Sequence, residues 1–174
     1  MSLPWMQWAE TEIGESEVPG PGSNPRILHY RAIAGLEDIK GDDSDVPWCK
    51  IFVNAAFVEA GLPIAKNAMA LSIKSDPDFI RLSGPAYGAV AAFWRGTPKS
   101  GTGHIGFYCG ETANGSRIYV LGGNESDAVR KAFFPASSIK FGLVGYYWPK
   151  SIEAPRLAKV IVSDDGHPQI ASAV

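Results

Sequence analysis

The chain has 174 residues, 45% of them hydrophobic and 20% charged, which suits one globular domain with a sizeable core. A net charge of −2 leaves no basic face for nucleic acid as a main partner, and no apolar run reaches the roughly 18 residues a membrane helix needs. Two cysteines cannot build a disulfide framework, and His29, His104 and His167 are too scattered for a familiar zinc pattern, so neither a metal nor an organic cofactor is expected.

Met1-Ser2-Leu3-Pro4-Trp5 carries neither the positive segment nor the apolar stretch of a secretory signal. The chain is therefore expected to be made in the cytoplasm. Residues 4 to 17 read as a helix, with Trp5, Trp8, Ala9, Glu12 and Ile13 at helical spacing. The Pro/Gly-rich run from Val18 to Pro25 breaks it. A short helix from Arg26 to Ile33 follows, capped by Asn24 and turning Ile27, Tyr30 and Ile33 inward. The loop from Gly35 to Ser44, with Asp38, Asp42, Asp43 and the neighbouring Asp45, is either a solvated loop or the acidic rim of a cleft for a cationic ligand.

The stretch from Val46 to Gly61 is the element around which the rest is read. Pro47 suits a helix start, Asp45 can accept from first-turn amides, and Gly61 followed by Pro63 is a stop. Lys50 and Asn54 share one narrow stripe, expected to face solvent, and Glu59 lies opposite. A helix apolar nearly all round is a central, buried one. Cys49 falls in its first turn, where the helix dipole favours a negative sulfur.

Pro63 to Lys74 reads as a further helix, with Ala68, Leu71 and Ser72 on one side. Strands are expected at Gly88–Trp94, His104–Cys109, Arg117–Leu121 and Phe141–Trp148, with Asn114-Gly115 as a hairpin turn. Helices followed by an antiparallel sheet make an α+β domain over residues 1–149. Residues 150–174 form an extension that either adds an edge strand or is loosely held.

Within His104–Cys109, alternation puts Ile105, Phe107 and Cys109 on an apolar face and His104 with Gly106 on the other. Cys109 thus reads as a core thiol, while the loop Thr97–Gly103 opens the His104 end to solvent. A hairpin centred on Asn114 sets Asn124 opposite His104, close enough for its amide to hold an imidazole N–H. Each of these residues alone has an ordinary structural use. Together, a cysteine at a helix start, a histidine on a strand and an orienting amide on the next strand are the parts of a thiol nucleophile with its base. The Cys49 backbone N–H would be one oxyanion donor. Trp48, Trp94 and Tyr108 either line a groove for sugar or peptide or simply pack the core.

The segment Trp48-Cys49-Lys50-Ile51-Phe52-Val53 resembles the opening of the CHAP and NlpC-type peptidoglycan amidases and endopeptidases, which are papain-like. Asn24-Pro25-Arg26-Ile27, Gly103-His104-Ile105-Gly106-Phe107-Tyr108, Val120-Leu121-Gly122-Gly123-Asn124 and Tyr146-Tyr147-Trp148-Pro149 extend the similarity over residues 5–149, to a small phage and bacterial subgroup. The resemblance implies a papain-like fold, with a Cys-bearing helix packed on an antiparallel sheet. It implies Cys49 as nucleophile, His104 as base and Asn124 as orienting residue; the residues themselves, not the resemblance, make Trp48, Trp94, Asp45 and Tyr108 the candidates toward substrate. Gly122 stands where many CHAP members carry glutamate, so Asn124 orients His104 alone or Glu125 or Asp127 assists.

The implied activity is hydrolysis of an amide bond in peptidoglycan by a cofactor-free monomer. It would act in the periplasm or cell wall after release through a holin or injection by a secretion system, in the latter case with an immunity partner. The rival readings are a cysteine amidase or peptidase on another amide, and a non-catalytic cell-wall or phage structural module.

Overall fold

Nine consecutive residues, Cys49 to Phe57, are buried in one helix, and the domain is assembled on it. The structure is a computed structural model and describes residues 3–169. Three helices come first: α1 (Pro4–Thr11), α2 (Pro25–Ile33) and α3 (Cys49–Glu59), followed by a 3-10 turn over Ala70–Ser75. Six strands follow: β1 (Phe79–Leu82), β2 (Val90–Arg95), β3 (Gly103–Glu111), β4 (Arg117–Gly122), β5 (Arg130–Pro135) and β6 (Phe141–Pro149). They form one antiparallel sheet in the order β1-β6-β2-β3-β4-β5. The domain is α+β, as the element order implies.

The helices meet through aromatic rings. Phe57 of α3 packs edge-on against Phe107 of β3 and Phe79 of β1, with centroids 5.5 and 5.1 Å apart, and Trp5 of α1 closes over Phe57 at 5.5 Å. Asn24 caps α2 by accepting from the Arg26 amide at 2.8 Å, as its position before Pro25 suggests. On the other face of the sheet, Phe93, Phe134 and Phe141 stack with centroids 5.1 to 5.5 Å apart. The sheet curls enough for the segment after β5 to bond back onto β6, through Leu143 N–H to Ala136 O at 2.9 Å.

Several expectations change. The first helix ends at Thr11 rather than at residue 17: Thr11 Oγ1 turns back to Trp8 O, and residues 14–17 run as an extended segment bonded to residues 127–129. Residues 63–74 are not an α-helix. The Asn54 side chain donates to the Ala65 and Asn67 carbonyls at 3.4 and 3.1 Å, and Asn67 Oδ1 accepts from the Met69 amide, so side-chain bonds occupy groups a helix would need. That same segment covers the Lys50–Asn54 stripe, and both residues are fully buried rather than solvated.

Strands β1 and β5 have too little alternation to announce themselves, being a short strand and an edge strand of half-buried residues. The tail makes isolated bridges (Glu111 with Ile161, Val162 with Pro168) in place of a full edge strand.

Candidate active site

Helix α3 begins at Cys49 itself. Its N-cap is Trp48, and no side chain caps the first-turn amides, so Pro47 lies just outside the helix and Asp45, exposed two residues further back, does not cap it. Uncapped N–H groups at a helix start are aimed at whatever lies beyond the end, and they favour negative charge there. The Cys49 sulfur shares that end.

His104 stands at the start of β3, 2% exposed rather than open to solvent. Its ring stacks on Phe134 at 4.8 Å and 24°. Its Nε2 bonds to Glu125 Oε1 at 2.5 Å, and the Cys49 sulfur is close enough to the ring to act on its charge. With Nε2 committed to Glu125, Nδ1 is the nitrogen left for the thiol. Burial draws the imidazole toward its neutral form, but the neighbouring Cys49 sulfur and Glu125 carboxyl outweigh it and hold its pKa up at about 10. Burial also pushes the Glu125 carboxyl up, against the pull of the His104 ring. The histidine is thus protonated at neutral pH, with a carboxylate on one side and a sulfur on the other.

Beyond a bulge between Tyr108 and Gly110 the hairpin register is the one expected, since Phe107 pairs with Leu121 and Tyr108 with Val120, while nearer the turn it is shifted by one, with Glu111 opposite Ile118. The residue bonded to the ring is nevertheless Glu125 and not Asn124. Strand β4 ends at Gly122, and Asn124, Ser126 and Asp127 all take positive φ, at 58°, 50° and 65°. The backbone turns away before Asn124 can face the ring, and Asn124 makes no side-chain bond to it. Three non-glycine residues in the left-handed region are costly and persist only where the surroundings hold them.

The bracing comes from the extended N-terminal segment: Glu17 N–H donates to Asp127 O at 2.8 Å and Gly14 N–H to Val129 O at 3.0 Å. The Gly122-Gly123 pair permits the turn. A Cβ on Gly122 would lie 2.5 Å from Glu125 Oε1, and one on Gly123 would lie 2.6 Å from both Trp48 and Phe52. Two glycines followed within two residues by a carboxylate were the available signal for Glu125.

The expected substrate-facing residues fare unevenly. Trp48 is fully buried, its ring beneath Gly123 and its Nε1 donating to Glu17 at 2.7 Å, so it anchors the site from behind. Tyr108 is buried and bonded to Glu111 and the Val160 amide, where it holds the tail. Trp94 packs over Gly142 of β6 and is partly exposed. In the acidic loop, Asp42 and Asp43 accept from the Gly22 and Asn24 amides at 3.0 and 2.7 Å, which makes them a clip onto the preceding segment rather than a free rim.

Lys50, beside Cys49, has an ammonium with no hydrogen-bond partner. Burial lowers its pKa to about 8, with Asp76 opposing. Among the described residues no group of three or more His, Cys, Asp or Glu is placed to hold a metal ion.

Chemically, the arrangement joins a sulfur nucleophile, a protonated imidazole to exchange a proton with it, a carboxylate fixing that ring, and free amides beside the sulfur. Comparison with family models, with curated proteins and with solved structures finds no match for this chain.

Proposed function

We propose that the chain is a papain-like cysteine hydrolase that cleaves an amide bond in peptidoglycan. The observation that carries the chemistry is the contact of His104 with Cys49 on one side and Glu125 on the other. The substrate follows from the sequence resemblance around Cys49, His104 and Gly122-Gly123.

Cys49 Sγ attacks the carbonyl carbon, forming a C–S bond while the carbonyl electrons move to oxygen. The Cys49 amide N–H faces that oxyanion, and removal of one such donor typically costs about 10²–10³ in rate. His104 gives its proton to the leaving nitrogen as the C–N bond breaks, leaving a thioester and a free amine. The ring then takes a proton from water, whose oxygen attacks the thioester carbonyl. The carboxylic acid leaves and the proton ends on the imidazole–thiolate pair. Glu125 keeps Nε2 protonated throughout, so Nδ1 is the nitrogen that cycles.

The test is digestion of purified sacculi by the parent and by Cys49→Ala and His104→Ala. New amines and carboxyls should appear only with the parent. Equal release by either variant overturns the reading.

A further inference from the structure

A cavity of about 350 Å³ opens on Cys49. It is walled by Ile39, Val46 and Pro47 ahead of the helix, by Ala68, Met69 and Ala70, and by Gly101–Gly103 leading into His104. Three separate loops therefore converge on the sulfur. No carboxylate, ammonium, guanidinium or imidazole lines this cavity. The only side-chain hydroxyl on its wall, that of Thr102, is already bonded to Arg95 O at 2.9 Å and to Ser100 Oγ at 3.0 Å. Met69, 61% exposed, stands at the rim.

We infer that this cavity is the specificity subsite of the site proposed above, and that it takes an uncharged, apolar side chain carried next to the scissile amide. The inference rests on that proposal for what the occupant is. The reasoning is one of pairing: a charged or strongly polar substituent entering here loses water and finds no partner on the wall, whereas an alkyl group gives up nothing. A lining without polar handles can rank alkyl groups by size and reject charge, yet cannot select a hydroxyl. Of the acidic residues of the neighbouring loop, Asp42 and Asp43 are bonded to the segment at residues 22–24, and the exposed Asp38 and Asp45 do not line the cavity.

The full chain is labelled with ¹³C at its methionine methyls and titrated with N-isobutylacetamide, N-acetylglycinate and N-(2-aminoethyl)acetamide. The Met69 methyl resonance should shift saturably with the isobutyl amide, and at least about 10-fold more weakly with the two charged amides. Ala68→Phe, which fills a partly exposed wall position, should abolish the shift without lowering the melting temperature appreciably. The subsite is overturned if no saturable shift occurs, if the three amides bind alike, or if Ala68→Phe binds as the parent does. A separate measurement, iodoacetamide labelling of Cys49 against Cys109 read by peptide mass, reports on the nucleophile. Labelling no faster at Cys49 would sink the hydrolase while leaving the titration to decide the cavity.

Discussion

Cys49 and Cys109 are both 6% exposed, and both are free thiols. By burial they are indistinguishable, and by neighbourhood they are opposites. Cys109 lies mid-strand in β3, its S–H aimed at the Phe107 carbonyl 3.5 Å away, and burial pushes its pKa up to about 12. Cys49 lies at an uncapped helix start against a histidine that a carboxylate holds protonated. At Cys109 burial outweighs the Lys131 ammonium and the Leu121 amide that would favour charge, whereas the groups around Cys49 accommodate it. Reactivity of a buried thiol is decided by what it touches, not by how much of it solvent sees.

The sharpest way to break this contrast is to remove the chemistry from one side. Cys49→Ala should lower sacculus hydrolysis by about 10⁴-fold or more, the range seen when one member of a nucleophile–base pair is deleted. Cys109→Ala, followed in the same assay, should leave turnover unchanged at temperatures where both proteins are folded. Comparable losses in the two variants would show that the cysteines differ in packing alone.

Next in size is the group that orients the ring. Glu125→Gln keeps a side chain that can bond Nε2 but removes the charge, and a loss of roughly 10²–10⁴ in kcat is expected. A lower imidazole pKa, read by NMR, should accompany it. Asn124→Ala should change kcat by less than about 3-fold, because Asn124 makes no bond to the ring and only its left-handed backbone is at stake. The reverse ranking would return the orienting role to Asn124.

The pH profile tests the same pair. In the proposed mechanism His104 must hold its proton to deliver it to the leaving amine, and its pKa stands at about 10, above the ordinary 6.5. Activity should therefore persist through neutral pH and decline on an alkaline limb near pH 10. The linkage to stability has the same sense: the folded state binds this proton more tightly, so its contribution is complete below about 6.5 and is lost as pH rises through about 10. A limb near pH 7 would mean that Glu125 does not support the imidazolium.

The smallest effect concerns Lys50. Its pKa falls from 10.5 to about 8 on folding, so the unfolded chain binds more protons between those values and stability from this group rises with pH across that window. Lys50→Met should flatten that rise in chemical denaturation from pH 8 to 10.5. Asp76→Asn, which removes the carboxylate that favours the ammonium, should cost about 1–3 kcal/mol at pH 7.

Much of this was legible in the chain. The buried, mostly apolar helix, the Asn24 cap, the four central strands and the hairpin turn at Asn114 follow from periodicity and turn chemistry, which act over neighbouring residues. So does the placement of Cys49 at a helix start and His104 at a strand start. What the chain left open are relations between segments distant along it. The Lys50–Asn54 stripe looked solvated because the segment that covers it, residues 65–76, does so through side-chain bonds rather than through a pattern of its own.

Asn124 and Glu125 are neighbours in sequence, and strand alternation favours the first. Three left-handed residues braced by an N-terminal segment more than a hundred positions away favour the second. Local propensity sets which element forms and roughly where it ends. Which side chain meets which across the gap is set by close approach and long-range bonding, which exist only once the elements have packed.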